Sequence, residues 1–574
     1  MDKKNVIQSL ETIATYMEIA GENPFKISAY RKAAAALERE ERTLLEIEKP
    51  ESLTGIGKGT ASVIEQLRDT GKSDVLDELK ESIPAGLPPL LQLQSLGGKK
   101  VGKLYKELGI TDADSLKEAC EKQQIRELQG FGVKTEEKIL QALNEVGKRP
   151  ERLPVSDMLS VAEEIEEQLR TFTHILRFER AGSLRRIKET VKDVDYVIST
   201  SDAQSVREQL KTLTDIEEIV ADGDTKVSFV LLKKHRIGVD FRLVEDEAFA
   251  TALHHFTGSK DHHLLMRKLA KDQGKKINEY GVEQDAAGSL VQFKDERQFF
   301  EHFGLTYIPP EAREGSGEIE RSRHGHSYIQ LEDIQSDLHM HTVWSDGANS
   351  VKEMAEDAKK RGYNYICITD HSKFLQVANG LNEERLARQA EDIKDANEHV
   401  SGIRVLKGTE MDIRPDGTLD FHNDVLQTLD FVIASIHSSF SQSKEQIHER
   451  LEAAFRNPFV HMIAHQTGRI IGQRSGYEVD IDWLISRAKE TGTALELNAN
   501  PNRLDLSAEQ LKKVVTSGVV IAVNTDAHRQ EMMDHMKIGV ATLNKAFVQK
   551  EQVMNTWTYE QFQQFTGHKR TLFE

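Results

Sequence analysis

From residue 336 onward the chain alternates apolar runs of strand length with helical patterns: "YICITD", "FVIASIH", "FVHMIAH", "ALELNAN" and "VVIAVNTDAH". Strands that alternate with helices predict a parallel sheet flanked by helices, up to a closed barrel, whose strand ends collect on one face. Those ends carry ligand-type side chains. In "DLHMHTVWSDG" (337–347), His339 and His341 alternate on one strand face and Asp346 follows in the loop. His371 closes "ITDH", Glu410 lies in "LKGTEMDI", His437 in "IASIH", His465 in "MIAH", and Asp526 and His528 in "NTDAH". One such histidine would be read as a satisfied core residue. The repetition at strand ends, with carboxylates among them, points to a metal centre. Imidazole with carboxylate suits Zn²⁺ or Mn²⁺.

At 574 residues the chain is long enough for three or four domains. With 38% hydrophobic and 30% charged residues it has a soluble globular balance. No apolar run is long enough to span a bilayer, and the N-terminus lacks the apolar core of a signal peptide. Cys120 and Cys367 lie far apart, so a disulfide framework is not expected and a reducing cytoplasm is. The net charge of −18 is unlike that of a nucleic-acid binder that is basic throughout. Acidic metal sites, however, add negative charge without touching a separate basic surface.

Residues 1–80 read as helical, with Ile7, Leu10, Ile13, Ala14 and Met17 at helical spacing. One pattern then occurs three times: "LTGIGKGTASVI" (53–64), "LQSLGGKKVGKL" (93–104) and "LQGFGVKTEEKI" (128–139). Gly55 and Gly57, Ser95 and Gly97, and Gly130 and Gly132 bracket an apolar residue, and a lysine-bearing helix follows each time. Such glycines permit a tight helix–turn–helix and close approach of a phosphate to backbone N–H groups. The pattern resembles the helix–hairpin–helix motif, which implies contacts with the DNA backbone, and three copies favour that over mere interhelical turns.

Between 150 and 310 short β-patterned runs appear: "YVIST", "KVSFVLL" and "GVDFRLV". Within "GSLRRIKETVKDVDYVI" (182–198), Asp193 and Asp195 fall on one strand face, and Asp240 lies in another strand pattern. Three carboxylates on neighbouring strands suit two Mg²⁺ ions and phosphoryl transfer. Gly182-Ser183 with Arg185 and Arg186 would meet a triphosphate. The polar, aperiodic segment "GSGEIERSRHGH" (315–326) reads as a linker, with His324 and His326 solvated.

These features resemble the family X, polymerase beta-like DNA polymerases over about residues 1–315. The resemblance is carried by "NPFKISAYRKAA", the hairpin motifs, "GSLRR…DVD", "VDFRL" and "HFTGSKDHHLLMRKLAKDQGKKINEYG". It implies that Asp193, Asp195 and Asp240 bind the catalytic Mg²⁺ pair, and that Gly182, Ser183 and Arg186 contact the triphosphate. Phe256, Thr257 and Gly258 would form the floor under the sugar. Lys26, Tyr30, Lys58 and Lys72 are candidate contacts for the 5′-phosphate of a gapped DNA, with solvated surface lysines as the alternative reading. Three positions depart from the family pattern. His255 stands where an aromatic ring is usual, Val155 where a basic triphosphate contact is, and Val63 where the lyase lysine falls. Valine forms no Schiff base, so classical deoxyribose-phosphate lyase activity is not expected.

Residues 335–574 resemble the PHP (polymerase and histidinol phosphatase) family, a distorted β/α barrel with a trinuclear centre. The resemblance implies one metal on His339, His341, Glu410 and Asp526, a second on Glu410, His437 and His465, and a third on Asp346, His371 and His528. Arg469, Asn498 and Arg503 are candidates for holding phosphate or ligands. The expected architecture is therefore multidomain. A helical domain with a hairpin motif (1–85) and a fingers-like helical domain (86–150) come first. An α+β nucleotidyltransferase palm (151–240), a thumb (241–315), a linker (316–335) and the barrel (336–574) follow. The expected enzyme is a monomeric, cytoplasmic, gap-filling DNA polymerase of base excision repair, using dNTPs on gapped or primer–template DNA, without membrane attachment. A Mn²⁺-dependent 3′→5′ exonuclease, with cleavage at abasic sites, would reside in the barrel. A polymerase with a purely structural barrel is the alternative, and a DNA-binding tether for repair partners a third reading. Nine competent ligand positions favour the first.

Overall fold

The computed structural model describes residues 3–40, 44, 47, 49–93, 96–146, 152–284 and 289–572. The chain divides into two compact units, Met1–Glu151 and Arg152–Glu574.

In the first unit, helices Lys3–Ala20, Pro24–Arg39, Lys58–Thr70 and Asp74–Ser82 enclose a core that includes Ile13, Met17, Ala33, Leu37 and Ile64. Local chemistry sets the helix starts. Asn23 accepts from the Phe25 amide ahead of Pro24, whose missing N–H costs nothing there, and Ser73 caps the helix that follows it. Helices Gly98–Leu108, Ala113–Glu121 and Val133–Val146 close over Val101, Leu104, Leu116 and Ile139. The repeated glycines have distinct tasks. Gly55 and Gly130 turn the chain at φ +103° and +92°, in the left-handed region. Gly57 and Gly97 then precede the next helix, and a side chain at either position, or at Gly132, would meet open space. Ser95 lies outside the described residues. Lys26 is exposed and pairs with Glu22 at 3.5 Å. Tyr30, expected at a DNA surface, instead packs into the first core, because its helical spacing with Ala33, Ala34 and Leu37 turns it inward. Val63 is a core residue of the same cluster.

The second unit begins with a five-stranded palm sheet: β1 (Ile175–Ala181), β2 (Asp193–Thr200), β3 (Ile216–Asp222), β4 (Lys226–Leu232) and β5 (Arg236–Val244), in the spatial order β1-β2-β5-β4-β3. The two outer strands carry charged and exposed residues and lack an alternating pattern, which hid them from periodicity. Only β2 and β5 run parallel, and they set Asp195 directly opposite Asp240. Helices Phe249–Thr257, Lys260–Asp272 and Glu296–Glu301 follow and pack around Met266, Phe299 and Phe300.

The segment read as a linker is built into this body. Its helix Glu318–Arg323 buries Glu318, which accepts from the amides of Gly315 (2.9 Å) and Ser316 (2.7 Å) and lies 2.9 Å from His262 Nδ1. His324 is exposed, but His326 packs against Tyr328 and Phe547 instead of being solvated. Polar composition showed no period here because one of its carboxylates, Glu318, serves as an internal anchor.

Seven parallel strands follow in sequential order: β6 (Ser336–Asp337), β7 (Tyr365–Ile368), β8 (Arg404–Asp412), β9 (Phe431–Ser435), β10 (Met462–Ile463), β11 (Ala494–Asn498) and β12 (Ile521–Asn524). A parallel bridge between Met340 and Ala527 joins the two ends into a nearly closed barrel. Palm and barrel share packing: Leu504 of the barrel is buried in the palm's hydrophobic cluster, with Ile471 and Ile538 against it. Among the described residues no helix is long and apolar enough to cross a membrane.

Candidate active sites of the palm and the barrel

In the palm, the β2/β5 register brings the three aspartates to one sheet end, with Asp193 opposite Gly238 and Asp195 opposite Asp240. Burial, with Asp240 and Asp193 beside it, pushes the Asp195 carboxyl up to about 7, while Lys226 and Arg242 oppose the shift. Three carboxylates drawn together at one sheet end form a donor set that fits divalent cations. Lys226 Nζ lies 2.9 Å from Asp240 Oδ2 across the antiparallel β4/β5 pair. Sequence reading missed this lysine, since nothing local links it to Asp240.

Gly182 opens the helical turn Gly182–Arg185 at φ +61°, and a Cβ there would stand 2.0 Å from Asp195 Oδ2. Ser183 follows on that turn. Arg186 donates to the Thr257 carbonyl and to Glu314 (3.0 Å). Gly258 adjoins it, since a Cβ there would lie 2.9 Å from Arg186 Nη1. Phe256 carries the Arg242 guanidinium 4.6 Å from its ring centre. The fold thus gathers Gly182, Arg186, Thr257 and Gly258. Arg185 does not join them as a cation for phosphate. It turns into the protein, donating to Thr257 Oγ1 (2.8 Å) and Glu296 (2.8 Å). Burial would raise the Glu296 carboxyl, but Arg313 and Arg185 outweigh it and hold it at about 2. Charge spacing alone could not say which of two adjacent arginines faces inward.

In the barrel, all nine ligand-type residues converge at the C-terminal ends of the strands. His339 Nε2 and His341 Nε2 lie 3.4 and 3.5 Å from Glu410 Oε2, and 3.5 and 3.2 Å from Asp526 Oδ1. The other oxygen of Glu410 faces His437 Nε2 (3.3 Å) and His465 Nε2 (2.8 Å). Asp346 Oδ1 lies 3.6 Å from His371 Nε2 and 3.4 Å from His528 Nε2. Three groups of these side chains are close enough to hold a metal ion: His341, Asp346, His371 and His528; His339, His341 and Asp526; and His371, Glu410 and His437. His341 and His371 each stand between two groups. Two ligand positions bend the backbone into the left-handed region, His465 at φ +28° and Asp526 at +53°, and so aim side chains into the mouth.

The atoms themselves fit cations. His339 Nε2 and both ring nitrogens of His341 are buried without a hydrogen-bond partner, an arrangement proteins otherwise avoid, and His371 Nδ1 lies 2.8 Å from Glu410 Oε2. Burial, with His528 and His371 nearby, drives His341 down to about 3, which keeps its ring neutral and able to ligate. Carboxylates stand behind two of these candidate ligands. Glu496 Oε1 lies 2.7 Å from His339 Nδ1, and Asp412 lies 3.2 Å from His437 Nδ1. Sequence reading passed over both. The signal for Glu496 was a charged residue at an inward position of the apolar run "ALELN".

The remaining candidates separate. Asn498 donates to Asp526 Oδ2 (3.1 Å), and Arg503 Nε lies 3.5 Å from the same oxygen. Arg469 is committed elsewhere. It donates to Glu189 of the palm (2.8 and 3.2 Å) and to the carbonyls of Arg503 and Leu504. It is a joint between palm and barrel.

Comparison with known proteins agrees with this division. The DNA polymerase beta thumb matches residues 252–314, the PHP domain 337–525, a helix-hairpin-helix domain 1–73 and a SAM-like helix-hairpin-helix tandem 87–145. A "probable phosphatase" of Thermoanaerobacter sp. (strain X514) is 30% identical over 38% of this chain and 89% of its own length. One of Caldanaerobacter subterraneus subsp. tengcongensis is 28% identical over 41% of this chain and 91% of its own length. The "DNA polymerase/3'-5' exonuclease PolX" of Bacillus subtilis (strain 168) is 56% identical over 98% of this chain and 99% of its own length. Identity at that level along nearly the whole length places the chain in the PolX family of DNA polymerases with a PHP barrel.

Proposed function

We propose that this chain fills gaps in DNA by template-directed synthesis in base excision repair, and that its barrel removes nucleotides from the 3′ end. The observation that carries the first activity is Asp195 facing Asp240 across a parallel strand pair, with Asp193 on the same strand. Asp193, Asp195 and Asp240 would hold two Mg²⁺ ions, which supply Lewis acidity and charge neutralisation for phosphoryl transfer. Gly182, Ser183 and Arg186 would receive the triphosphate of a dNTP. Phe256, Thr257 and Gly258 would support its sugar, in register with the palm through Arg185 and Thr257. The primer 3′-oxygen bonds to the α-phosphorus, and pyrophosphate leaves with the electron pair of the broken P–O bond. Gly57, Gly97 and Gly132 would let the DNA backbone approach the helix starts of a monomeric enzyme on gapped or primer–template DNA.

The second activity rests on the three groups of buried histidines and carboxylates in the barrel mouth that are close enough to hold a metal ion. His339, His341, Glu410, Asp526, His437, His465, Asp346, His371 and His528 would hold up to three Mn²⁺ or Zn²⁺ ions. Bound there, such ions activate water and polarise a phosphodiester. No serine or cysteine nucleophile is called for. Cleavage beside abasic sites is a further hydrolysis of the same kind.

The test is a gel assay on a labelled primer in a short gap bearing a 5′-phosphate, with Mn²⁺, with and without dNTPs. Asp193→Ala should lose extension and keep shortening; His339→Ala should do the reverse. Shortening that survives His339→Ala would remove the exonuclease from the barrel and leave that domain a scaffold.

A further inference from the structure

A cleft of about 630 Å³ opens where the palm meets the barrel, and Ser183 and Arg186 stand in its wall. Arg152, Lys188 and Lys545 line it as well. Its two acidic side chains are engaged: Glu189 pairs with Arg469, and Glu509 with Lys512 at 2.8 Å.

Two of the cations are held by neutral oxygens. Arg152, exposed on the palm, donates to Thr190 Oγ1 (3.1 Å) and to the Thr190 carbonyl (2.6 Å), both neutral oxygens. Lys545, from the barrel, donates to the Ile187 carbonyl at 2.6 Å. Neither forms an ion pair with a described carboxylate. Burial pulls the Lys545 amine down to about 8, against the pull of Glu314, Glu311 and Glu189. Lys188, by contrast, is neutralised by Glu314 at 3.0 Å. Arg152 and Lys545, from different domains and gripping the same 187–190 loop around one concavity, make a site for an anion.

The lining also selects the kind of anion. Its apolar members are the aliphatic Ile187, Leu504 and Ala508, and no aromatic side chain is among them to stack a base. Charge-dense inorganic phosphate chemistry fits better than a nucleoside. Ser183 and Arg186 lie at one wall, where the triphosphate tail would end.

We propose that this cleft is a pyrophosphate site shared by palm and barrel, in which Arg152 and Lys545 receive the leaving group of DNA synthesis. It rests on the polymerase reading of the palm. The released pyrophosphate carries off the electron pair of the broken α–β bridge, and the two cations neutralise it as it moves from Arg186. The barrel thereby contributes a residue to the chemistry of the palm.

The test is titration of the full chain with inorganic pyrophosphate and Mg²⁺ by calorimetry, for wild type, Lys545→Gln and Arg152→Gln, with dTMP as a second titrant. Each substitution should weaken pyrophosphate binding at least fivefold and relieve pyrophosphate inhibition of primer extension in parallel, with dTMP binding unaffected. Thermal melts monitor folding, and the exposed Arg152→Gln carries the test if Lys545→Gln does not melt cooperatively. Absence of pyrophosphate binding, or affinity indifferent to both substitutions, overturns the site. Weakening confined to dTMP reassigns the cleft to a product of hydrolysis and overturns it equally. Extension by the wild type is scored separately: its absence removes the polymerase reading, whereas the binding results bear on the cleft alone.

Discussion

Glu496 Oε1 lies 2.7 Å from His339 Nδ1, and both side chains are fully buried. The same carboxylate accepts from the His465 amide at 2.8 Å, so one side chain orients two ligand positions. A carboxylate behind a ligand histidine fixes its tautomer and raises its basicity, and its loss costs about 10–100-fold in metal affinity or activity. Glu496→Gln should therefore slow primer shortening by about that factor. Higher Mn²⁺ should partly restore it, and extension should be preserved. A metal titration of both activities checks this, and an exonuclease indifferent to the substitution would count against the role.

Gly182→Ala should silence the palm and spare the barrel. The added methyl would collide with the Asp195 carboxylate at 2.0 Å, and φ +61° strains any residue with a Cβ. Moving a metal-ligating carboxylate by even 1 Å costs on the order of 100-fold in rate. Single-turnover extension beside exonuclease on the same substrate separates the two effects.

Leu504→Ala should weaken the palm although residue 504 belongs to the barrel. The side chain is buried in the palm cluster, and truncating such a leucine costs about 2–5 kcal/mol. The urea midpoint should fall, with palm and barrel unfolding in one transition. Separate palm and barrel transitions in the wild type would contradict shared packing.

Lys569→Met should change the pH dependence of stability. Lys569 is buried among neutral groups, donating to Thr493 Oγ1 and, at 3.4 Å, to the Phe455 carbonyl. Burial lowers its amine to about 7. In the unfolded chain the amine holds its proton up to its ordinary value near 10.5. The penalty for folding is thus full below pH 7 and fades as pH rises toward 10.5. The methionine variant should melt above wild type at pH 7, by a few degrees, and the gap should narrow by pH 10. A gap that stays constant between these values refutes the assignment.

The three palm aspartates and the nine ligand-type residues of the barrel could be picked out as candidates in the chain itself. Aspartates two apart in a strand share a face, and a histidine at the end of an apolar run in a β/α alternation belongs to the barrel mouth. The hairpin glycines were equally readable, because a turn at φ +103° is a local demand on residue 55. Such features follow from periodicity and backbone sterics over a few residues. Packing decided the rest. Arg185 and Arg186 are adjacent and alike in sequence, yet Glu296, 111 residues away, claims the first for the interior. Tyr30 left the expected DNA surface for a core, and Glu318 turned a polar stretch into an anchor for His262. Glu410 divides five histidines between its two oxygens, and Leu504 completes the core of another domain. The sequence by itself determined which chemical groups this protein carries and which elements bear them. Only the tertiary structure decided where each group points and what it meets, because direction and partner depend on contacts between residues that lie far apart along the chain.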